Sequence, residues 1–139
     1  MRQHHGTIAK QTEGQGCYDI SRDVEAFVAE SGMQDGLLTL LIQHTSASLT
    51  IQENADPDVQ LDLTSALDRL APESNHLHRH SAEGPDDMPA HIKAALTDTS
   101  LSIPVMDGKV RLGTWQGIYI LEHRQRGHKR HIACHIMGE

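Results

Sequence analysis

The segment 43–62 changes its hydrophobic period half-way along, and this change constrains the fold more than any other feature of the chain. Residues 46–51 alternate small polar and apolar side chains, a pattern that is typical of a half-buried β-strand. Asp56 and Pro57 then suit the N-cap and the first position of a helix, and apolar residues continue at helical spacing to Leu70. The sequence therefore predicts a strand, a turn and a helix.

The predicted helix begins with a high density of acids, namely Asp56, Asp58 and Asp62. Asp58 and Asp62 are four positions apart, so they share one helix face, where like charges repel each other. Such a pair is tolerated when water solvates both carboxylates or when a cation lies near them. Capping and the helix dipole also favour acids at a helix start, so a structural role for Asp56 is as compatible with the pattern as a functional one.

The segments before this region predict a strand, a helix and a second strand. Residues 4–12 alternate weakly and predict the first strand. Ser21 can cap a helix that ends at Gly32. The run 37–42 is continuously apolar, which predicts a fully buried strand that leads directly to His44.

The segments after this region complete an α+β pattern. Residues 71–87 form a polar loop, after which Asp87 or Met88 caps a third helix. From Ser100 onward the pattern is that of strands only, with the pair 107–108 (Asp-Gly) as a type I′ hairpin signal. The order of elements predicts one α+β domain over residues 1–139, with a large antiparallel sheet or sandwich and two to three inserted helices.

Charge and hydropathy exclude several classes of protein. The formal net charge is −7, which argues against general nucleic-acid binding. No apolar run approaches the length of a membrane span, and the N-terminus lacks the apolar segment of a signal peptide. We therefore expect a cytoplasmic protein that binds neither nucleic acid nor membrane. The one basic cluster, residues 124–130, is interpreted as a solvated hairpin turn.

Three histidines occupy positions that suit a metal site: His44 at a strand end, His80 in a loop and His91 at a helix start. Three imidazoles with an open fourth position would form a catalytic zinc site. Their spacing alone does not establish that they meet, and it favours a hydrogen-bonded or exposed histidine at each position. His76 and His78 are interpreted as solvated loop residues.

Acids are dense in the same segments, and hard carboxylate oxygens suit Mg²⁺, which commonly bridges carboxylates to substrate phosphates. The set comprises Glu53, Asp56, Asp58, Asp62, Glu83, Asp86 and Asp87. Because the chain is acidic, a phosphorylated substrate would also need a cationic side chain. Arg79, Lys93 and Arg111 are equivalent candidates at this level.

The single tryptophan, Trp115, lies in the glycine-flanked segment 113–117. The indole is either a core residue with a satisfied N–H or a wall on which a heteroaromatic ring stacks. In the second interpretation Thr114 and Gln116 form hydrogen bonds with the ligand. The pattern leaves both interpretations open.

Three blocks, residues 44–59, 83–93 and 100–118, together resemble the YjbQ-like family, whose members are often called secondary thiamine-phosphate synthases. The resemblance extends from about Thr7 to Glu139. It implies an α+β fold with a large antiparallel sheet, and a homotrimer with sites near the subunit interfaces. It also implies that His44, His80 and His91 converge on a metal such as zinc. The chain departs from the family at His76 and His78.

The resemblance leads to a first functional hypothesis, a metal-assisted transferase that joins a pyrimidine-methyl diphosphate to a thiazole phosphate. Asp56, Asp58 and Asp62 would hold the metal–diphosphate, with Mg²⁺ in place of zinc if the diphosphate binds the metal. Trp115 would stack on the pyrimidine or stabilise cationic character that develops at its methylene. The residues expected to contact substrate are Thr45, Ser46, Asn54, Thr114, Trp115 and Gln116.

Two other hypotheses belong to different classes. In one, zinc bound by the histidines activates water for the hydrolysis of a phosphorylated metabolite, and Glu53 or Glu83 is the general base. In the other, the protein binds a metal or a metabolite without catalysing a reaction. The predicted fold is compatible with all three hypotheses.

Overall fold

The computed structural model describes residues 1–74 and 76–139. The elements within these residues are β1 (Arg2–Gln11), β2 (Gly16–Asp19), α1 (Ser21–Ser31), β3 (Gly36–Ile42), β4 (Ala47–Glu53), α2 (Pro57–Leu70), α3 (Asp87–Leu96), β5 (Ser100–Met106), β6 (Lys109–Val110), β7 (Gln116–Glu122) and β8 (Lys129–Gly138).

The strands form two antiparallel sheets, which confirms the predicted α+β class. A five-stranded sheet has the order β1-β8-β3-β5-β6, and a three-stranded sheet has the order β2-β7-β4. The Asp107-Gly108 pair joins β5 to β6 with positive φ at both residues, as the type I′ signal predicted. The described helices include none that is long and apolar enough to cross a membrane.

The core lies between the two sheets and one face of α1, and it is built almost entirely from aliphatic side chains. Its fully buried members include Val24, Leu40, Leu49, Ile120 and Ile136, which come from five different elements. Because so few aromatic residues are available, close packing of branched side chains provides most of the buried apolar area.

The structure corrects the prediction that the run 37–42 is fully buried. Leu38, Leu40 and Ile42 are buried, whereas Leu37 and Leu41 are 44% and 45% exposed. Successive residues of a strand point to opposite faces, and within the described residues the outer face of the five-stranded sheet carries no helix or second sheet. The apolar run therefore has one face in the core and one face toward solvent in the protomer.

Helix starts confirm one predicted cap and correct two others. Asp56 caps α2, since its side chain accepts a hydrogen bond from the Asp58 N–H at 2.9 Å. Ser21 is instead the first residue of α1, and its hydroxyl accepts from the Ile118 N–H at 2.9 Å. In α3 the N-cap position belongs to Asp86 and not to Asp87 or Met88 as predicted, which frees the Asp87 side chain for other contacts.

A buried chain of hydrogen bonds fixes the end of α3 against the three-stranded sheet. His123 Nε2 lies 2.9 Å from Ser48 Oγ, which lies 2.6 Å from Thr97 Oγ1. Thr97 Oγ1 is also 2.8 Å from the Lys93 carbonyl oxygen. One arrangement of protons satisfies all three contacts: the imidazole donates to Ser48, Ser48 donates to Thr97, and Thr97 donates to the carbonyl.

We predict that His123 makes the free energy of unfolding depend on pH in the mildly acidic range. Burial, followed by the charge of Lys93, lowers the pKa of His123 from 6.5 to about 4. The unfolded chain therefore binds a proton that the folded chain excludes, so stability is complete above pH 6.5 and falls as the pH approaches 4. The free energy of unfolding measured with urea should be about 2 kcal/mol lower at pH 5 than at pH 7.5 through this group alone.

The His123→Gln variant should show a smaller difference between the two pH values, because the amide does not titrate. His76→Gln, a change at an exposed loop residue, provides the control and should keep the full difference. Equal pH dependence in wild type and His123→Gln would contradict the assignment.

Candidate metal centre

His80, Asp87 and His91 bring three possible metal ligands together. Asp87 and His91 are four residues apart in α3 and so share one face of the helix. The loop before α3 adds His80. Asp87 Oδ2 lies 2.5 Å from His80 Nε2 and 3.0 Å from His91 Nε2, and the three ligand atoms lie within 4.8 Å of one another. In the described part of the chain, no other set of three His, Cys, Asp or Glu residues meets this condition.

The proton on His91 is fixed by a backbone contact. His91 Nδ1 lies 2.8 Å from the carbonyl oxygen of Thr45, which can only accept a hydrogen bond. Nδ1 therefore carries a proton, and in the neutral imidazole Nε2 has only a lone pair. That lone pair faces Asp87 Oδ2, which is also an acceptor. The contact needs a cation, either a second proton on His91 or a metal ion between the two atoms.

Asp87 is the buried anion of the cluster, with an exposed fraction of only 2%. Burial alone raises its pKa, but the hydrogen bond from His80 and the charges of His91 and Arg124 outweigh burial and lower the pKa below its usual value. Arg124 Nη1 donates to Asp87 Oδ1 at 2.7 Å, and Arg124 Nε donates to Asp86 Oδ2 at 3.0 Å. One carboxylate oxygen thus faces the guanidinium while the other faces the histidines.

This donor set fits zinc or a similar transition-metal ion. Zinc binds imidazole nitrogen and carboxylate oxygen at about 2.0–2.2 Å, so tetrahedral ligand atoms lie roughly 3.3 Å apart. The 3.0 Å contact already approaches this separation, and the 2.5 Å contact involves His80, the exposed loop member of the cluster. Three protein ligands would leave a fourth position open. The Thr45 carbonyl and Arg124 provide the outer contacts that orient such ligands.

His44 lies outside this cluster in the protomer. Its Nε2 accepts a hydrogen bond from the His131 N–H at 2.8 Å, and the two imidazole rings stack with centroids 6.0 Å apart. Burial, followed by the charge of Arg130, lowers the pKa of His44, which favours the neutral ring. The structure therefore brings together two of the three predicted ligands, and a role for His44 in binding metal stays a prediction.

The predicted acidic site lies at the opposite end of β4 from the histidines. Thr45, which contacts His91, precedes this strand, and Glu53 ends it. Seven residues of strand span about 20 Å. Asp56 caps the helix that follows, and all three predicted metal–diphosphate ligands (Asp56, Asp58 and Asp62) are exposed. Within one protomer these acids do not join the His80–Asp87–His91 cluster.

Most of the predicted substrate residues lie at the acidic end of β4, away from the histidine cluster. Asn54 donates its N–H to the Trp115 carbonyl at 2.9 Å, so Thr114, Trp115 and Gln116 lie at the acidic end. Trp115 is 63% exposed, which excludes the core interpretation within the protomer. The Gln116 amide oxygen accepts from the Gly113 N–H at 2.7 Å and shapes this loop.

Thr45 and Ser46 lie at the histidine end instead. Ser46 accepts hydrogen bonds from Arg130 Nη2, at 3.1 Å to its hydroxyl and 3.3 Å to its carbonyl oxygen. Arg130 in turn pairs with Glu122 in the interior. This pair fixes the backbone next to Thr45, whose carbonyl orients His91.

Beside the cluster lies a cleft of about 310 Å³ with two arginines and two acids on its wall. Its lining residues are Glu83, Asp86, Arg124, Gln125, Arg126 and His128. None of the three possible ligands lines the cleft, but Arg124 on its wall contacts Asp87. The basic segment 124–130 is thus only partly a solvated turn, since Arg124 is engaged with two aspartates and Arg130 is buried.

The sequence placed Asp87 only in a broad set of acids suited to Mg²⁺, and it predicted neither the grouping of Asp87 with the histidines nor its pairing with Arg124. Asp87 looked like a helix cap, and Arg124 lay in a run of charges that suggested solvent exposure. The usable signal was the spacing of Asp87 and His91, because an acid and a histidine four residues apart on a helix point in the same direction.

Comparisons with known proteins agree with this architecture. The family described as "UPF0047 protein YjbQ-like" matches residues 6–139. The UPF0047 protein sll1880 of Synechocystis is 49% identical over 139 residues, covering 100% of this chain and 95% of the relative. The UPF0047 protein YjbQ of Escherichia coli O157:H7 is 49% identical over 104 residues, which is 75% of each chain.

Solved structures extend the similarity to the whole fold. A YbjQ-like protein of unknown function from Sulfolobus solfataricus has a TM-score of 0.90 at 26% identity and covers 99% of both chains. A YjbQ/UPF0047 protein from Clostridium acetobutylicum has a TM-score of 0.85 at 37% identity, covering 94% of this chain and 98% of that one.

We predict that Asp87→Asn removes one bound zinc ion per protomer from the untagged protein. The amide keeps the size of the carboxylate but lacks the charge that holds the cation, so affinity at this cluster should fall at least about 10-fold. Zinc content after equilibrium dialysis is the measurement. Asp58→Asn makes the same charge change at the far end of β4 and should bind as much zinc as wild type. Equal zinc content in the two variants would contradict a metal site at Asp87.

Proposed function

The chain belongs to the UPF0047 YjbQ-like family, and from the geometry of its His80–Asp87–His91 cluster we propose that it is a metal-dependent enzyme that acts on a phosphorylated small molecule. The observation that carries this proposal is the contact of His91 Nε2 with the buried Asp87 carboxylate, which a metal ion between the two atoms or a second proton on His91 would satisfy. Neutral imidazoles and one carboxylate form a donor set typical of catalytic zinc sites.

Each residue of the cluster has a separate role in this proposal. A bound divalent ion would supply an activated water and polarise a phosphoryl oxygen. Thr45 holds His91 with Nε2 directed at Asp87, and Arg124 holds Asp87 by its outer oxygen, so both would be in place to hold the ion. Asp87 stays ionised at neutral pH because its pKa is lowered, so it remains an anionic ligand.

The cleft supports an anionic substrate. The protein carries a net charge of −7, so a phosphate needs a local source of positive charge. Arg126 and His128 line the cleft beside Arg124, and both side chains lie at least partly exposed. These groups can bind a phosphate next to the metal ligands.

Hydrolysis is the reaction that one protomer supports best. Glu83 lies on the cleft wall, and its carbonyl oxygen accepts a hydrogen bond from Arg124 at 3.1 Å. Its exposed carboxylate is therefore the better candidate for the general base, because Glu53 lies about 20 Å away along β4. Attack by water requires no group from the acidic end of the strand.

The thiamine-phosphate synthase-like transferase is a second candidate, and the exposed Trp115 favours it. An unburied indole beside Asn54 and the capped start of α2 offers a stacking surface next to acids. This reaction would need the acidic end of one protomer to meet the histidine cluster of another, as in the homotrimer that we propose. Binding of a metabolite without turnover is the remaining alternative.

We predict that metal-loaded protein hydrolyses a phosphomonoester from a substrate panel and that Glu83→Gln lowers kcat/KM by about 10²-fold or more. The same preparations are assayed for the joining of the pyrimidine diphosphate to the thiazole phosphate. Asp58→Asn should leave hydrolysis unchanged. Joining activity that Asp58→Asn abolishes and Glu83→Gln retains would favour the transferase. No turnover in either assay, with ligand still bound, would favour a binding protein.

We also predict a homotrimer assembled through α2. No residue of this helix is buried in the protomer, and Leu61 and Leu70 are exposed. Val59, Leu63 and Ala66 line a groove on the same helix that is available for apolar contact. Light scattering should give three protomer masses for wild type. Leu61→Glu should reduce that mass, whereas Leu77→Glu, at an exposed leucine in the loop after α2, should not; a monomeric wild type would contradict the prediction.

A further inference from the structure

A pair of histidines lies on the outer face of the five-stranded sheet, away from the cluster described above. His5 of β1 and His135 of β8 are directly opposite each other in the antiparallel ladder. Their ring centroids are 4.5 Å apart. We propose that His5 and His135 form a second metal site, which binds a divalent transition-metal ion such as Zn²⁺ or Cu²⁺.

Strand geometry places these two side chains, and no neighbouring histidine, on the same patch. Opposed residues of an antiparallel pair have Cβ atoms about 4.5–5.5 Å apart and point to the same face. His4 points to the opposite face, where its ring packs 5.3 Å from Phe27 of α1. His131 is four residues along β8 and stacks with His44 instead.

The nitrogen atoms of the pair are available for a metal. His135 Nε2 lies 3.0 Å from the side-chain amide oxygen of Gln3, which accepts a hydrogen bond. This contact places the proton on Nε2 and leaves a lone pair on Nδ1. It has the form of the outer contact that fixes the tautomer of a metal-bound histidine. The His5 ring makes no hydrogen bond within the described part of the chain, so its lone pair is also uncommitted.

The two imidazoles and their uncharged neighbours determine which class of cation this site would bind. Two imidazoles favour zinc, copper or nickel over Mg²⁺ and Ca²⁺, which prefer oxygen ligands. The neighbouring side chains on this face are uncharged, with Thr39 opposite His135 and Thr7 two positions after His5. The described strand neighbours on this face include no carboxylate to balance the ion, so this site should bind metal more weakly than the cluster that contains Asp87.

A metal ion at this position would join the first strand to the last. β1 is an edge strand that pairs only with β8 in the five-stranded sheet. An ion bound to both strands binds only the folded pairing and therefore stabilises the folded protein. This consequence is independent of the catalytic proposal, because neither histidine contacts the cleft or the His80–Asp87–His91 cluster.

The test is a zinc titration of the full-length, untagged chain by calorimetry, with the two sites removed separately. Wild type should bind two ions per protomer, and Asp87→Asn should keep one. His5→Gln in the Asp87→Asn background should remove that remaining ion, and His135→Gln should do the same. His4→Gln, a change of the adjacent residue on the opposite face, is the matched control and should remove none.

The imidazole nitrogens give a second measurement that does not depend on counting ions. In ¹⁵N-labelled Asp87→Asn protein, zinc should shift the Nδ1 resonance of His135 and leave the ring of His4 unchanged. Zinc should also raise the Tm of Asp87→Asn but not that of Asp87→Asn with His5→Gln.

The inference is overturned if His5→Gln binds as much zinc as its parent variant, or if the His135 ring is unaffected. Loss of the remaining ion through His76→Gln with His78→Gln would also overturn it, because that ion would then belong to the loop. Failure of the proposed function leaves a different pattern, since Asp87→Asn would then bind as much zinc as wild type.

Discussion

The buried carboxylate of Asp87 holds the candidate site together. One side chain joins three segments that are distant in sequence: its own helix, the loop that carries His80, and the turn that carries Arg124. A carboxylate removed from water requires such partners, because an unpaired buried charge is strongly unfavourable. The same requirement therefore fixes the loop and the turn against α3, and it gives the histidines an anionic neighbour.

Strand β4 determines which groups can act together in one protomer. The Thr45 carbonyl at its start orients His91, while Asn54 just after its end contacts the Trp115 loop. A strand is too stiff and too long for side chains at its two ends to meet around one ligand. Chemistry confined to one chain must therefore use the histidine cluster and its cleft. Chemistry that also uses the exposed aspartates and Trp115 requires a second copy of the chain.

Features that depend on neighbouring residues were predictable from the sequence, and features that depend on distant contacts were not. The Asp56 cap and the Asp107-Gly108 turn follow from local backbone preferences, and both are present. The burial of Leu37 depends on whether anything covers the outer sheet face, which its apolar run does not encode. The pairing of Asp87 with Arg124 was missed for the same reason, since a buried ion pair between residues 37 positions apart has no local signature. The family resemblance implied that His44, His80 and His91 converge. His80 and His91 do lie together, but in the protomer the His44 ring accepts a hydrogen bond from the His131 N–H.

The charges around Asp87 also bear on how an acidic protein could bind the anionic substrate that we propose. Asp86 and Asp87 contribute two negative charges, and Arg124, which pairs with both, contributes one positive charge, so these three groups leave one net negative charge. That residual charge would attract a cation to the imidazoles of His80 and His91. The divalent ion that we propose would reverse the sign of the charge on these three groups to positive. Arg126 on the cleft wall would add to this positive field and the Glu83 carboxylate would oppose it, so a phosphate would be attracted more strongly after the metal has bound. In the proposed function the metal would therefore favour substrate binding as well as the chemistry.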